Sequence, residues 1–194
     1  GPVQPCQWPA RGAGGEMLET PAVIRELRER FPDLALTEQP TADGIPTAWL
    51  PAERALEVLG YLGREAPQPF AMLYDLGGVD ERERLHREGL PEAAFSVFYH
   101  LVSYGRNADL RLKVALPADG PRVDSVAGVW PAADWYEREL WEMFGVDVAG
   151  HDRLRRLITP PWWEGHPLRK EHPSRGTEYG PFELPDQLVD EMQE

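Results

Sequence analysis

Three carboxylates, Glu137, Glu139 and Glu142, fall within six residues that also hold Arg138. On a helix Glu137 and Glu139 point apart, whereas Glu139 and Glu142 share a face. Paired carboxylates can serve as an acid and base couple. With an arginine among them, the same spacing fits a solvated or salt-bridged helix surface. His151, His166 and His172 are the best metal candidates by residue type. Their spacings of 15 and 6 residues match no zinc pattern, and HExxH is absent. Each has Gly or Pro beside it, which suits turns and backbone contacts better than a rigid ligand set. The stretches GAGGE and LGGVD lack the frames that cradle phosphates, and no GxSxG elbow occurs. Trp130, Trp135, Trp141 and the pair Trp162 and Trp163 are the aromatic type that anchors interfaces as often as it fills cores. By elimination, these residues describe a scaffold or interaction component.

Composition narrows the classes further. The 194 residues are 42% hydrophobic and 10% aromatic, enough for one domain with a real core. A formal charge of −13 repels phosphate backbones and argues against nucleic-acid binding. Cys6 is the one cysteine, so this chain alone builds neither an internal disulfide nor a Cys-ligated cluster. No apolar run reaches the roughly 18–20 residues of a membrane span. The start of the chain has no basic and apolar lead of the secretory kind, and Gly1-Pro2 reads as a tag scar. Charge is uneven: residues 1–150 carry a net −10, residues 151–178 a net +2, and the last sixteen hold five acids and no base. A locally basic segment in an acidic chain is a candidate docking surface.

The elements that would position these residues follow from periodicity. Residues 1–16 read as a disordered lead. Val23, Ile24, Leu27 and Phe31 recur at helical spacing within Met17–Phe31, with Thr20 as the cap and Pro21 at the first helical position. Residues 34–37 and 47–50 flank a turn at Asp43-Gly44, predicting a hairpin. Pro51 opens a second helix ending near Gly63. Residues 69–75, 94–102 and 109–116 read as strands; Leu110, Leu112, Val114 and Leu116 share one face of the last. The intervening GGVDERERLHREGLPEA is predicted as a loop or short helix. Further helices are expected over 123–130 and 134–144, with Trp135, Leu140, Trp141 and Phe144 apolar. Six prolines follow Thr159, so residues 150–194 are expected as an extended tail beyond a 17–149 core. The fold class is α+β, a two-layer sandwich with helices on one face of a mixed or antiparallel sheet.

Two blocks carry a resemblance. Residues 134–158, DWYERELWEMFGVDVAGHDRLRRLI, and residues 165–173, GHPLRKEHP, resemble in order the two signature blocks of the C subunit of respiratory complex I, the proton-pumping NADH–quinone oxidoreductase. FAMLYDLGGVDERERLHREGLPEAAFSVFYHLVS, LRLKVALP and TEYGPFEL resemble the fused C/D form found in some bacteria, giving coverage of about residues 20–185. Glu142 and Glu171 stand where that family usually has Asp, Asp152 where it has Pro, and His172 where it has an aromatic residue. No D portion of the fusion is present, which reads as a free-standing C subunit or a processed or truncated fusion.

The resemblance implies a structural role in the peripheral arm, with no catalytic residue, cofactor or metal held by this chain. FMN, iron–sulfur clusters and quinone belong to other subunits. The implied partners are the D and B subunits, with the I subunit as a further candidate, and membrane contact only through the complex at the cytoplasmic face of the bacterial inner membrane. The implied interface comprises Glu137, Arg138, Glu139, Gly145, Gly150, His151, Arg155, Arg156, Gly165, His166, Pro167, Leu168, Arg169 and Lys170, with Arg169 aimed at a partner carboxylate. Two alternatives are a related subunit of a membrane-bound hydrogenase or formate hydrogenlyase, and a stand-alone carboxylate-dependent hydrolase.

Overall fold

In a computed structural model, residues 21–84 and 88–172 are described. The expected lead, Cys6, the Thr20 cap and the tail beyond His172 lie outside them. The chain runs α1 (Ala22–Arg30), β1 (Thr37–Glu38), β2 (Thr47–Leu50), α2 (Ala52–Gly60), a π turn (Tyr61–Glu65), β3 (Met72–Asp80), β4 (Phe95–Ser103), β5 (Ala108–Leu116), β6 (Arg122–Asp124), α3 (Ala133–Phe144) and β7 (Asp147–Ala149).

Both early helices start from prolines with extended φ/ψ. Pro21 itself is the N-cap of α1 and accepts from the amides of Ile24 and Arg25; Pro51 precedes α2 in the same way. Each then buries one stripe: Val23, Ile24 and Leu27 on α1, and Ala55, Val58 and Leu59 on α2. Beyond α2 the turn widens, Ala66 N–H reaching back to Tyr61 O. Phe70 N–H then closes on Leu62 O and sends the chain into β3.

The main sheet has the order β1-β2-β5-β4-β3. All its pairs are antiparallel except β2 with β5, which run parallel with Ala48 opposite Leu112. The pairs Phe95–Leu116, Val97–Val114, Tyr99–Leu112 and Leu101–Leu110 face inward, and all eight side chains are buried. The helices pack on this face, so the two-layer α+β sandwich on a mixed sheet is what forms. The expected hairpin also forms, with Thr37 opposite Trp49 and Gly44 at φ +73 in the turn.

Two sequence expectations fail. The LGGVD stretch is not loop but the second half of β3, Leu76 to Asp80 pairing with Tyr99 to Phe95. Glycines occur there because neighbours need the room. A Cβ on Gly77 would sit 3.0 Å from the Phe98 ring, and one on Gly78 would sit 2.7 Å from Phe144 and 2.8 Å from Leu140. Residues 123–130 are not a helix either. Val123 pairs in parallel with Val148, so β6, α3 and β7 form a small βαβ crossover, and a turn joins β6 to α3. Both valines are buried. The spacing of Val123 to Val126 looks helical locally, but the pairing partner of Val123 lies 25 residues away.

Candidate functional site

Helix α3 buries Ala133, Glu137, Arg138, Leu140, Glu142 and Met143. Trp135, expected as an apolar face residue, is 58% exposed, with the Arg138 guanidinium 4.9 Å from its ring. Of the carboxylates singled out by sequence, Glu139 is exposed, while Glu137 and Glu142 are buried at 1% and 0%. The solvated-surface reading therefore fails for two of the three. Nor do Glu139 and Glu142 form a working pair.

Each buried charge is matched by main chain. Glu142 accepts from the amides of Leu157 (2.7 Å), Ile158 (3.0 Å) and Thr159 (2.6 Å), and from the Thr159 hydroxyl. Burial by itself pushes this carboxyl up, but those four donors outweigh it and hold the pKa below the ordinary glutamate value. Arg138, one turn earlier, donates from Nε to the Arg155 carbonyl (3.2 Å) and from Nη2 to the Arg156 carbonyl (3.3 Å). Glu137 faces the other way. It accepts from the Ser125 hydroxyl and the Val126 amide, both at 2.6 Å, and lies 4.0 Å from His151. Desolvation dominates here and raises its pKa, the Ser125 and Val126 bonds only partly offsetting it.

His151 has a side chain 1% exposed. Its Nδ1 accepts from the Arg153 amide, so in the neutral ring Nε2 carries the proton, facing the Asp134 carbonyl at 3.2 Å. His166 Nδ1 lies 2.9 Å from the Glu142 carbonyl, and the Leu168 amide donates to the Met143 carbonyl. Arg169 does not reach outward. Its Nε donates to the Phe144 carbonyl (2.6 Å), its Nη2 to the Gly145 carbonyl (3.3 Å), and its guanidinium lies 5.0 Å from the Phe95 ring. These are orphan carbonyls at a helix C-terminus, where a cation is also favoured by the dipole. Gly145 ends α3 at φ +66, and a Cβ there would lie 2.5 Å from both Arg169 and His166. Glycine is needed on both counts.

Of the remaining candidates, Gly150, Arg155, Gly165, Leu168 and Lys170 have exposed residue surfaces, and Pro167 is half-buried. Gly165 adopts φ +79, as the expected bend before Pro167 requires. The Lys170 amide donates to Asp80 Oδ2 (2.9 Å), and Asp80 also accepts from Arg82, which pairs with Glu171. The Arg82 guanidinium, desolvation opposing it, holds the buried Asp80 at about 2. Sequence reasoning missed Asp80, Arg82, Ser125, Asp134 and Thr159. The first two sit in a stretch taken for loop, and nothing local marks the others. The charges and the end of α3 are thus met within one chain: residues 155–159 satisfy Arg138 and Glu142, Arg169 caps the helix end, and Ser125 and Val126 satisfy Glu137. Among the described residues no group of three or more His, Cys, Asp or Glu could hold a metal ion, and no helix is long and apolar enough to cross a membrane.

Residues 48–178 match the family model of the respiratory-chain NADH dehydrogenase 30 kDa subunit. The chain belongs to that family. Curated 30 kDa-family relatives are longer proteins, named as the C/D subunit of NADH-quinone oxidoreductase. The one from Methylococcus capsulatus is 54% identical over 172 residues, 89% of this chain and 29% of its own length. That from Salmonella heidelberg is 52% identical over 182 residues, 94% of this chain and 30% of its own length. The chain therefore spans under a third of the relatives it matches. Among solved structures, the trypsin-resistant fragment of Nqo5 matches with a TM-score of 0.54 at 26% identity, covering 68% of this chain and 98% of the fragment. A chain of an archaeal membrane-bound sulfane sulfur reductase shares the fold, with a TM-score of 0.61 at 21% identity over 78% of this chain and 84% of its own.

Proposed function

We propose that this chain is a non-catalytic structural component in the peripheral arm of a proton-pumping NADH–quinone oxidoreductase. In this reading it packs on the D and B subunits, with the I subunit as a further candidate, and these neighbours carry the terminal iron–sulfur cluster and the quinone site. FMN, clusters and quinone reside in those and other subunits, and the chain reaches the cytoplasmic face of the membrane only through them. The observation that carries the reading is the family match over residues 48–178, which spans both sequence blocks. Geometry supports the absence of chemistry: Glu142 accepts from four donors of its own chain and Glu137 from two, and His151 Nδ1 accepts from the Arg153 amide. Such groups position backbone; they offer no free base to a substrate. The hydrogenase alternative gains nothing from relatives named for NADH-quinone oxidoreductase.

The test is capture of the tagged chain from its own membranes, with the companions identified by mass spectrometry. Other NADH–quinone oxidoreductase subunits in stoichiometric amounts are expected, along with NADH-dependent quinone reduction by the recovered assembly. Recovery of the chain alone, or with hydrogenase subunits, overturns the proposal.

A further inference from the structure

Arg138 and Glu142 stand one helical turn apart with opposite charges, a spacing at which such residues normally pair with each other on a helix surface. Here both are buried, and the hydrogen bonds of each go to consecutive main-chain groups of one short segment. Arg138 takes the carbonyls of Arg155 and Arg156, and Glu142 takes the amides of Leu157, Ile158 and Thr159. The pair is therefore aligned with the direction of the segment: cation on carbonyls, anion on the amides that follow. Two buried charges left without these groups would be strongly unfavourable, so α3 and the turn need one another whether or not anything else is bound. Held this way, the backbone faces the helix and the side chain of Ile158 is turned out, 62% exposed. Near the N-terminal end of α3 stands Trp135, also exposed, stacked on Arg138 itself. Arg155, three residues before Ile158, is exposed, and so is Arg153, whose Nη2 lies 4.0 Å from Asp134, the neighbour of Trp135 in the helix.

We infer that Arg138 and Glu142 are positioning residues that preform the 155–159 turn in the free chain, presenting Ile158 as an anchor for the D portion of the assembly. The occupant is argued from continuity and charge. In the relatives this span is part of a polypeptide more than three times as long, whose name joins C to D. The exposed arginines beside an apolar anchor call for an apolar socket rimmed by carboxylates. A preformed turn lowers the ordering cost of that docking. The anchor role rests on the proposed function; the clamp does not.

Amide hydrogen exchange on the free 194-residue chain separates the two. The amides of Leu157, Ile158 and Thr159 are expected to be protected in the wild type. Glu142→Gln is expected to lower their protection roughly 10- to 100-fold, the loss of one or two charge-assisted bonds, with β4 and β5 unaffected. Glu142→Asp, which keeps the charge, restores part of it. Thr159→Val, which keeps the three amides and removes the hydroxyl that donates to Glu142 and accepts from Arg156, gives a smaller loss and serves if Glu142→Gln does not fold. Exchange at peptide rates in the wild type overturns the clamp. For the anchor, Ile158→Asp replaces the wild-type gene and assembled complex is recovered from membranes. A drop of about 10-fold or more is expected, with protection at 157 and 159 unchanged. Normal assembly by Ile158→Asp overturns the anchor. If even the wild type recovers no other NADH–quinone oxidoreductase subunits, the proposed function fails while the exchange result stands.

Discussion

Glu137 and Glu142 leave solvent on the same helix, yet their charges behave in opposite ways. Glu142 has four donors and a lowered pKa; Glu137 has two, and desolvation raises its pKa. The folded chain therefore favours charged Glu142, whose contribution is present above the ordinary glutamate range and lost as pH falls through its lowered pKa. It favours protonated Glu137, whose contribution is present below that range and lost as pH rises through its raised pKa. Glu142→Gln should cost about 2–4 kcal/mol near pH 7, because an amide cannot accept from all four donors and one NH₂ faces them. Glu137→Gln should change stability by under ~1 kcal/mol there, since a carboxamide still accepts from Val126 and donates to Ser125. Denaturant unfolding of both variants between pH 4 and 8 measures this. Equal costs for the two substitutions would contradict the difference in environment.

Among elements, the contact between β3 and α3 depends on an absent side chain. Gly78 lies on the sheet's inner face, opposite Val97, and α3 approaches until Leu140 and Phe144 occupy the space a Cβ would need. Gly78→Ala should push the helix off the strand and cost about 1–3 kcal/mol by overpacking. Gly77→Ala meets only the Phe98 ring at 3.0 Å and should cost less. Gly145→Ala adds a backbone penalty at φ +66 to a collision with His166 and Arg169, so it should be the most damaging of the three. Melting temperatures of the three alanine variants give the order directly. A Gly78 variant as stable as wild type would mean that α3 yields without cost.

For the molecule as a whole, the question is whether the segment after Gly150 is an appendage or part of the fold. Independence is what its prolines and absent periodicity suggest, and residues 151–172 add no helix or strand. Yet removing them would strip Arg138 and Glu142 of every hydrogen-bond partner named above and uncap α3. Truncation after Gly150 should therefore destabilise the remaining domain by about 3–5 kcal/mol, the cost typical of uncompensated buried charge. At this size that is roughly 10 °C in melting temperature. Calorimetry of the truncated and full chains decides; an unchanged melting temperature would make the segment an independent tail.

Periodicity and turn chemistry alone determined much of this protein. The α1 and α2 stripes, the hairpin at Asp43-Gly44, the alternation of β5 and the α+β class all follow from local rules, because each element's buried face is written in its own spacing. The two blocks also carried the family, since their residue types and order are specific. Only the tertiary structure decided where the charges of α3 go. A carboxylate in a sequence looks the same whether water or three amides surround it. The amides of 157–159 and the carbonyls of 155–156 have no side-chain signature, and main-chain partners leave no pattern to read. The same holds for β6, whose partner lies across α3, and for Gly78, whose meaning is the helix that fills its space. Local spacing records which face is apolar; which distant backbone satisfies a buried charge is settled only when the chain closes on itself.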